Sequence, residues 1–183
     1  MPSPAAAPTN PAPAAPTAAR RKAAKKYKPD TVRLLIVAEA PPCTPERSFY
    51  FEHMDQHDWL FRYVWEGLTG QKPDRSRKAE HLGALQAAGV FMIDLHEDPI
   101  SGPTAKDLAP CVPGLIARCR ELRPKAIVLI KSVVHDVAFD VLTTAGLPVV
   151  DERIPFAASG QQKKFLEAFR AATEGLVQVR PPA

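Results

Sequence analysis

Three short runs of branched and aliphatic residues constrain this chain most: L-L-I-V at 34–37, V-F-M-I-D-L at 90–95 and K-A-I-V-L-I at 125–130. Each has the length of one buried strand, and stretches of helical periodicity separate them. Strands alternating with helices predict a parallel or mostly parallel sheet covered on both faces. The spacing predicts strands over 32–38, 90–95, 125–130 and a brief fourth at 148–151. Helices are predicted over 55–68, 75–88, 104–122, 132–145 and 159–174, with Gly89 as a left-handed stop for the second. The expected fold class is therefore α/β: a three-layer sandwich around a small four-stranded, mostly parallel sheet.

Each run stops on polar residues. The first ends at Glu39, followed by Pro41, Pro42 and the aromatic triplet Phe49, Tyr50 and Phe51. The second ends at Asp94 to His96, the third at Lys131 and Ser132, the fourth at Asp151 to Arg153. In open α/β sheets, ligands bind beyond the carboxyl ends of the strands, so these residues are the candidate site. Glu39 and Asp94 have the chemistry to orient a water or bind a polar ligand. Lys131, Arg153 and the helix start at Ser159 are suited to neutralise phosphate. The aromatic triplet reads either as a lid over the sheet edge or as a platform for a stacked base. His96 reads equally as a solvated histidine or a site residue. Asp98 and Asp151 fit capping roles, and His135 an ordinary helical histidine.

Several classes are excluded. No G-x-x-x-x-G-K-[ST] loop is present and no G-x-G-x-x-G follows a strand, so neither a nucleotide-triphosphate loop nor a dinucleotide fingerprint is supported. Cys43, Cys111 and Cys119 have no C-x-x-C spacing, which argues against disulfide frameworks and zinc ribbons and fits a reduced cytosol. His53 and His57 share a helical spacing but have no third ligand, so no metal and no cofactor is expected. No apolar run approaches the roughly 18–20 residues a bilayer requires, and the N-terminus lacks a continuous apolar signal core. The chain is expected to be cytoplasmic (nucleoid-associated if bacterial), with no membrane partner and an oligomeric state the sequence does not specify.

The charge is unevenly placed. Six of the 24 basic residues and one of the 20 acids lie before residue 31, leaving 18 against 19 in the remainder. Residues 1–19 are almost wholly Ala, Pro, Ser and Thr, so 1–30 reads as a disordered tail. Its basic block, Arg20, Arg21, Lys22, Lys25, Lys26 and Lys28, serves either as a DNA tether acting through phosphate neutralisation or as a solubilising segment. The folded domain is expected over 31–176, with 177–183 frayed.

This layout resembles the uracil-DNA glycosylase superfamily. In one branch of that family the first strand ends in G-E-A-P-G. Here Ala38-Glu39-Ala40-Pro41-Pro42 keeps the central E-A-P and replaces both glycines. The family's second strand ends in a base-reading segment, often through an Asn, where this chain has Asp94. Its last motif, commonly H-P-S before the final helix, corresponds best to the stretch from Ile154 through Pro155 to Ser159 and Gln161, which has a proline and a serine but no histidine. The G-E-A-P-G branch also holds an iron–sulfur cluster through four cysteines, which three cysteines at these spacings do not supply. The resemblance implies a DNA glycosylase, a hydrolase of base-excision repair that flips a base and cleaves its N-glycosidic bond. It places Tyr50 or Phe51 on the base, with Phe49 as a further candidate. Glu39 or Asp94 takes the water, and Pro41, His96, Lys131, Arg153 and Ser159 contribute to substrate binding. The alternative is a catalytically inactive nucleic-acid- or nucleotide-binding module of the same fold.

Overall fold

The computed structural model describes residues 15–54, 56–157 and 160–182. At its centre lies a parallel sheet of three strands, β1 (Leu34–Ala38), β2 (Val90–Asp94) and β3 (Ala126–Leu129), in the order β2-β1-β3. Leu34 faces Val90 on one side and Ala126 on the other, and the register continues to Ala38 opposite Asp94. All of β1 and β3 is buried, as their near-continuous Val/Ile/Leu content requires of strands covered on both faces.

Between β1 and β2 run α2 (Trp59–Thr69), a 3₁₀ turn (Arg75–Arg77) and α3 (Lys78–Ala87). Between β2 and β3 run α4 (Ala105–Leu108), a second 3₁₀ turn (Ala109–Cys111) and α5 (Val112–Leu122). Two further helices, α6 (Ser132–Thr144) and α7 (Gln162–Thr173), follow β3. Helix contacts fall into two groups, α2 with α7 and α6 with α4 and α5. Right-handed crossovers that run first to one side of β1 and then to the other require that division.

Two glycines are needed where they stand. Gly89 has φ +79, and a Cβ there would lie 2.9 Å from the Thr31 carbonyl oxygen. Its own carbonyl accepts the amides of Arg33 and Leu34, which sets the entry into β1. Gly67 brings α2 against α7 so closely that a Cβ would lie 2.4 Å from the Phe169 ring.

Three expectations need correction. The stretch expected to form a fourth strand makes only isolated parallel bridges, Val149 with Ile127 and Ile154 with Ile130. The Val149 and Glu152 amides bond two residues back, to Leu147 and Val150, so local turns consume the groups a ladder would use. The disordered tail also fails for its second half, because Ala15–Lys26 is a helix, α1. Its Ala, Lys and Arg residues are among the strongest helix formers, Pro16 sits in the first turn where a missing N–H is tolerated, and Lys25 and Lys26 lie at the favourable end of the dipole. Residues 1–14 lie outside the described chain. The C-terminal segment, expected to fray, returns Val179 to the core at 6% exposure.

Candidate active-site cleft

A cleft of about 520 Å³ opens beyond the carboxyl ends of the strands. The chain leaves β1 toward β2 and returns on the other side as β3, so the gap between β1 and β3 is the sheet's topological switch point. Ladder bonds continue past the strand ends and fix what projects there. The Leu95 amide bonds the Ala38 carbonyl at 2.8 Å, His96 N bonds Glu39 O at 2.9 Å, and Ile130 N bonds Val37 O at 2.9 Å.

Glu39 and Lys131 meet across the switch point. The Lys131 ammonium donates to Glu39 Oε2, while Glu39 Oε1 is buried with no partner among the described residues. Lys131 has φ 78 and ψ 125 at the cap of α6, a left-handed backbone that costs a non-glycine residue about 1–3 kcal/mol. Its amide neighbourhood is anchored because the Lys131 carbonyl accepts from Val134 and His135. The ammonium also lies 5.4 Å from the centre of the Phe156 ring. Phe156 is 41% exposed at the cleft wall, one of few large apolar side chains so open.

Asp94 projects into the same cleft from the end of β2. Burial raises its pKa from 3.8 to about 7; the Arg118 and Arg20 guanidinium charges oppose the rise and the Glu39 charge adds to it. Its carboxyl accepts no hydrogen bond from the described residues, so at neutral pH it is poised between donor and acceptor. Arg118 reaches up from α5 and donates to the Asp94 and Leu95 carbonyls at 2.8 and 3.0 Å. Arg20, on α1, donates to the carbonyls of Pro42, Thr44 and Arg47 at 2.6, 2.8 and 3.1 Å. It pins the loop after E-A-P, and its Nη1 is buried with no partner among the described residues.

A buried ion pair adjoins the cleft through Asp58, one of its lining residues. Lys78, fully enclosed, donates to Asp58 Oδ2 and lies 4.7 Å from the centre of the Phe61 ring. Burial draws its pKa below 10.5, against the upward pull of Asp58. A longer bond of 3.4 Å to the Ser48 carbonyl ties the pair to the aromatic segment.

Of the residues nominated from sequence, Glu39, Pro41, Phe49, Tyr50, Asp94 and Lys131 line this one cleft. Phe51, His96 and Arg153 are not among its lining residues. His96 Nδ1 contacts the Asp98 carbonyl at 2.7 Å, and Arg153 forms a two-pronged bond with Asp136, both at 2.7 Å. Ser159 lies outside the described residues. Tyr50 is a wall rather than a free platform: its ring stacks on Tyr27 with centroids 6.4 Å apart, and its hydroxyl accepts from Met92 N and donates to Met92 O. Phe49 packs edge-on against Tyr50 and Phe61. Of the basic block, Arg20 is turned inward at 7% exposure, Lys26 pairs with Glu52, and Arg21, Lys22, Lys25 and Lys28 are exposed.

Arg118, the Lys78–Asp58 pair and the inward role of Arg20 escaped the sequence reading. Arg118 sits within a helical stretch between Leu115 and Cys119, the only local hint that it borders a buried face. Among the described residues, no three metal-ligating side chains converge, and no helix is long and apolar enough to cross a membrane. In comparisons with known proteins, no family model matches the chain, and no curated protein does.

Proposed function

We propose that this chain is a uracil-DNA glycosylase-like hydrolase that takes an extruded nucleobase into the strand-end cleft and cleaves its N-glycosidic bond. One observation carries the reading: the two carboxyl groups nominated from sequence, Glu39 and Asp94, line a single cleft with Lys131 and the aromatic side chains of Phe49 and Phe156. Paired carboxyl groups in different environments suit acid and base roles at one bond. Glu39, held in place by Lys131, orients the attacking water. Asp94, protonated below about pH 7, donates to the departing base. As the C1′–N bond breaks, its electron pair goes to the base with the Asp94 proton. Water adds to C1′ and gives its proton toward Glu39. The exposed cations Arg21, Lys22 and Lys25 of α1, with Lys28 just past its end, supply phosphate contacts beside the cleft.

The test is incubation with single-stranded and duplex DNA containing uracil, hypoxanthine or other modified bases, read by alkaline strand scission. Abasic sites with at least one base are expected. Glu39→Gln and Asp94→Asn are each expected to lower the rate by about 10²–10⁴-fold, the usual worth of positioned proton transfer. Absence of scission across the whole panel overturns the reading.

One observation favours a binding module of the same architecture instead. The histidines lining the cleft, His53 and His57, are both exposed, and the last loop contributes no histidine in their place. Retained affinity for base-modified DNA without scission selects that alternative.

A further inference from the structure

We propose that the Lys131 amine forms a covalent imine with the aldehyde of an abasic deoxyribose, giving the cleft a strand-cleaving activity in addition to base removal. The proposal rests on the glycosylase reading for the origin of the aldehyde, since loss of a base leaves C1′ as a hemiacetal that opens to an aldehyde. The lysine itself is identified by geometry alone. Three observations converge on it. Its ammonium lies in the cleft and is held by a carboxylate, Glu39, from the neighbouring strand end. The second oxygen of that carboxylate is buried without a partner among the described residues, so Glu39 retains a site for a proton. The lysine backbone is held in a left-handed conformation that no glycine relieves, a strain that needs a compensating reason.

A salt bridge needed only for support would be served as well by a lysine in relaxed geometry on the following turn. Instead, the strained residue puts a primary amine beside a base, between Phe156 and the end of β1. Lysine amines form imines with carbonyl substrates once they lose a proton, and Glu39 is the acceptor in contact with this one. The ammonium gives its proton to Glu39, and the free amine adds to the aldehyde carbon. Loss of water forms the C=N bond. The imine acidifies the C2′ hydrogen, a carboxylate removes that proton, and the electron pair moves to expel the 3′ phosphate. No external oxidant or reductant enters the cycle.

The experiment uses the full chain and a duplex oligonucleotide whose abasic site is prepared beforehand, with sodium borohydride present to reduce any imine to a stable secondary amine. A protein–DNA adduct is expected, with the modification mapped to Lys131 by peptide mass spectrometry. The Lys131→Arg protein keeps a cation for Glu39 but has no primary amine there, and its adduct is expected to fall at least ~10-fold. A circular dichroism spectrum unchanged from the parent shows that this variant is folded. No adduct with the parent protein, an unchanged yield in Lys131→Arg, or modification mapped to Lys22, Lys25 or Lys28 overturns the proposal. Because the abasic site is made in advance, failure to excise any base leaves this arm informative. Base excision without an adduct removes the lysine chemistry alone.

Discussion

At the scale of single residues, the cleft is governed by charges taken out of water. Asp94 is the clearest case. Its pKa rises from 3.8 in the unfolded chain to about 7 in the folded protein, chiefly through burial. The folded state therefore holds the proton more tightly. The resulting stabilisation is complete below about pH 4 and is lost as pH rises through 7. At pH 8 the protein carries the cost of an ionised, buried carboxylate, with an upper bound of about 4 kcal/mol from the size of that displacement. Asp94→Asn, which cannot ionise, is expected to be more stable than the parent at pH 8 and to lose most of that advantage by pH 4. Thermal melts at the two pH values check the sign. If Asp94 is also the proton donor, the parent's excision rate falls above pH 7, and stability and rate decline over the same window.

Lys78 and Asp58 give the second prediction at this scale. Lys78→Met removes the enclosed cation of the pair and is expected to cost about 3–5 kcal/mol in urea unfolding. Adding Asp58→Leu to that variant is expected to recover much of the loss, because the desolvation cost disappears with both charges. A double variant no better than the single one would mean that the pair organises the Ser48 segment through geometry that apolar packing does not replace.

At the scale of elements, the strand ends were legible in the sequence and the helix docking was not. Glu39, Asp94 and Lys131 were readable because each ends an apolar run, and a parallel sheet brings such ends to one side. Arg118 and Arg20 were not, because a helix displays residues all around its axis and only packing decides which face meets the site. The α1 error has the same origin. Weighing prolines and charge against alanine content gives disorder, whereas alanine, lysine and arginine propensity together with docking gives a helix that pins the 42–47 loop. Arg20→Ala is expected to free that loop, seen as faster amide exchange over residues 42–47, while the sheet core stays protected. The close approach of α2 and α7 makes a separate claim. Gly67→Ala drives a methyl group into the enclosed Phe169 ring and is expected to destabilise by about 1–3 kcal/mol, measured by chemical denaturation.

At the scale of the whole molecule, the folded body is close to neutral and the net positive charge is concentrated on the N-terminal segment that includes α1, beside the cleft. Under the proposed function, affinity for DNA is expected to fall with salt, with a slope reflecting the few exposed cations of α1. Reversing Lys22 to Glu should flatten that slope in a fluorescence-anisotropy titration and leave the melting temperature nearly unchanged, since its side chain is solvated and lies away from the last turn of α1. A slope unaffected by the reversal would move the phosphate contacts away from α1.

The sheet is unusually small, and a strand at its margin is an open template for another chain. Met92 on β2 directs its amide and carbonyl outward, and the Tyr50 hydroxyl occupies both, while Arg118 occupies the carbonyl of Asp94 two residues on. The far margin, β3, is shielded by the bridging stretch that includes Val149 and Ile154. At the β2 margin the Tyr50 phenol oxygen, with Arg118 beside it, thus guards against intermolecular strand addition. Removing it in Tyr50→Phe leaves two main-chain groups unsatisfied and should appear as self-association on warming, detected by light scattering before the unfolding transition. A parallel sheet this narrow stays solitary only while its border is closed to other molecules.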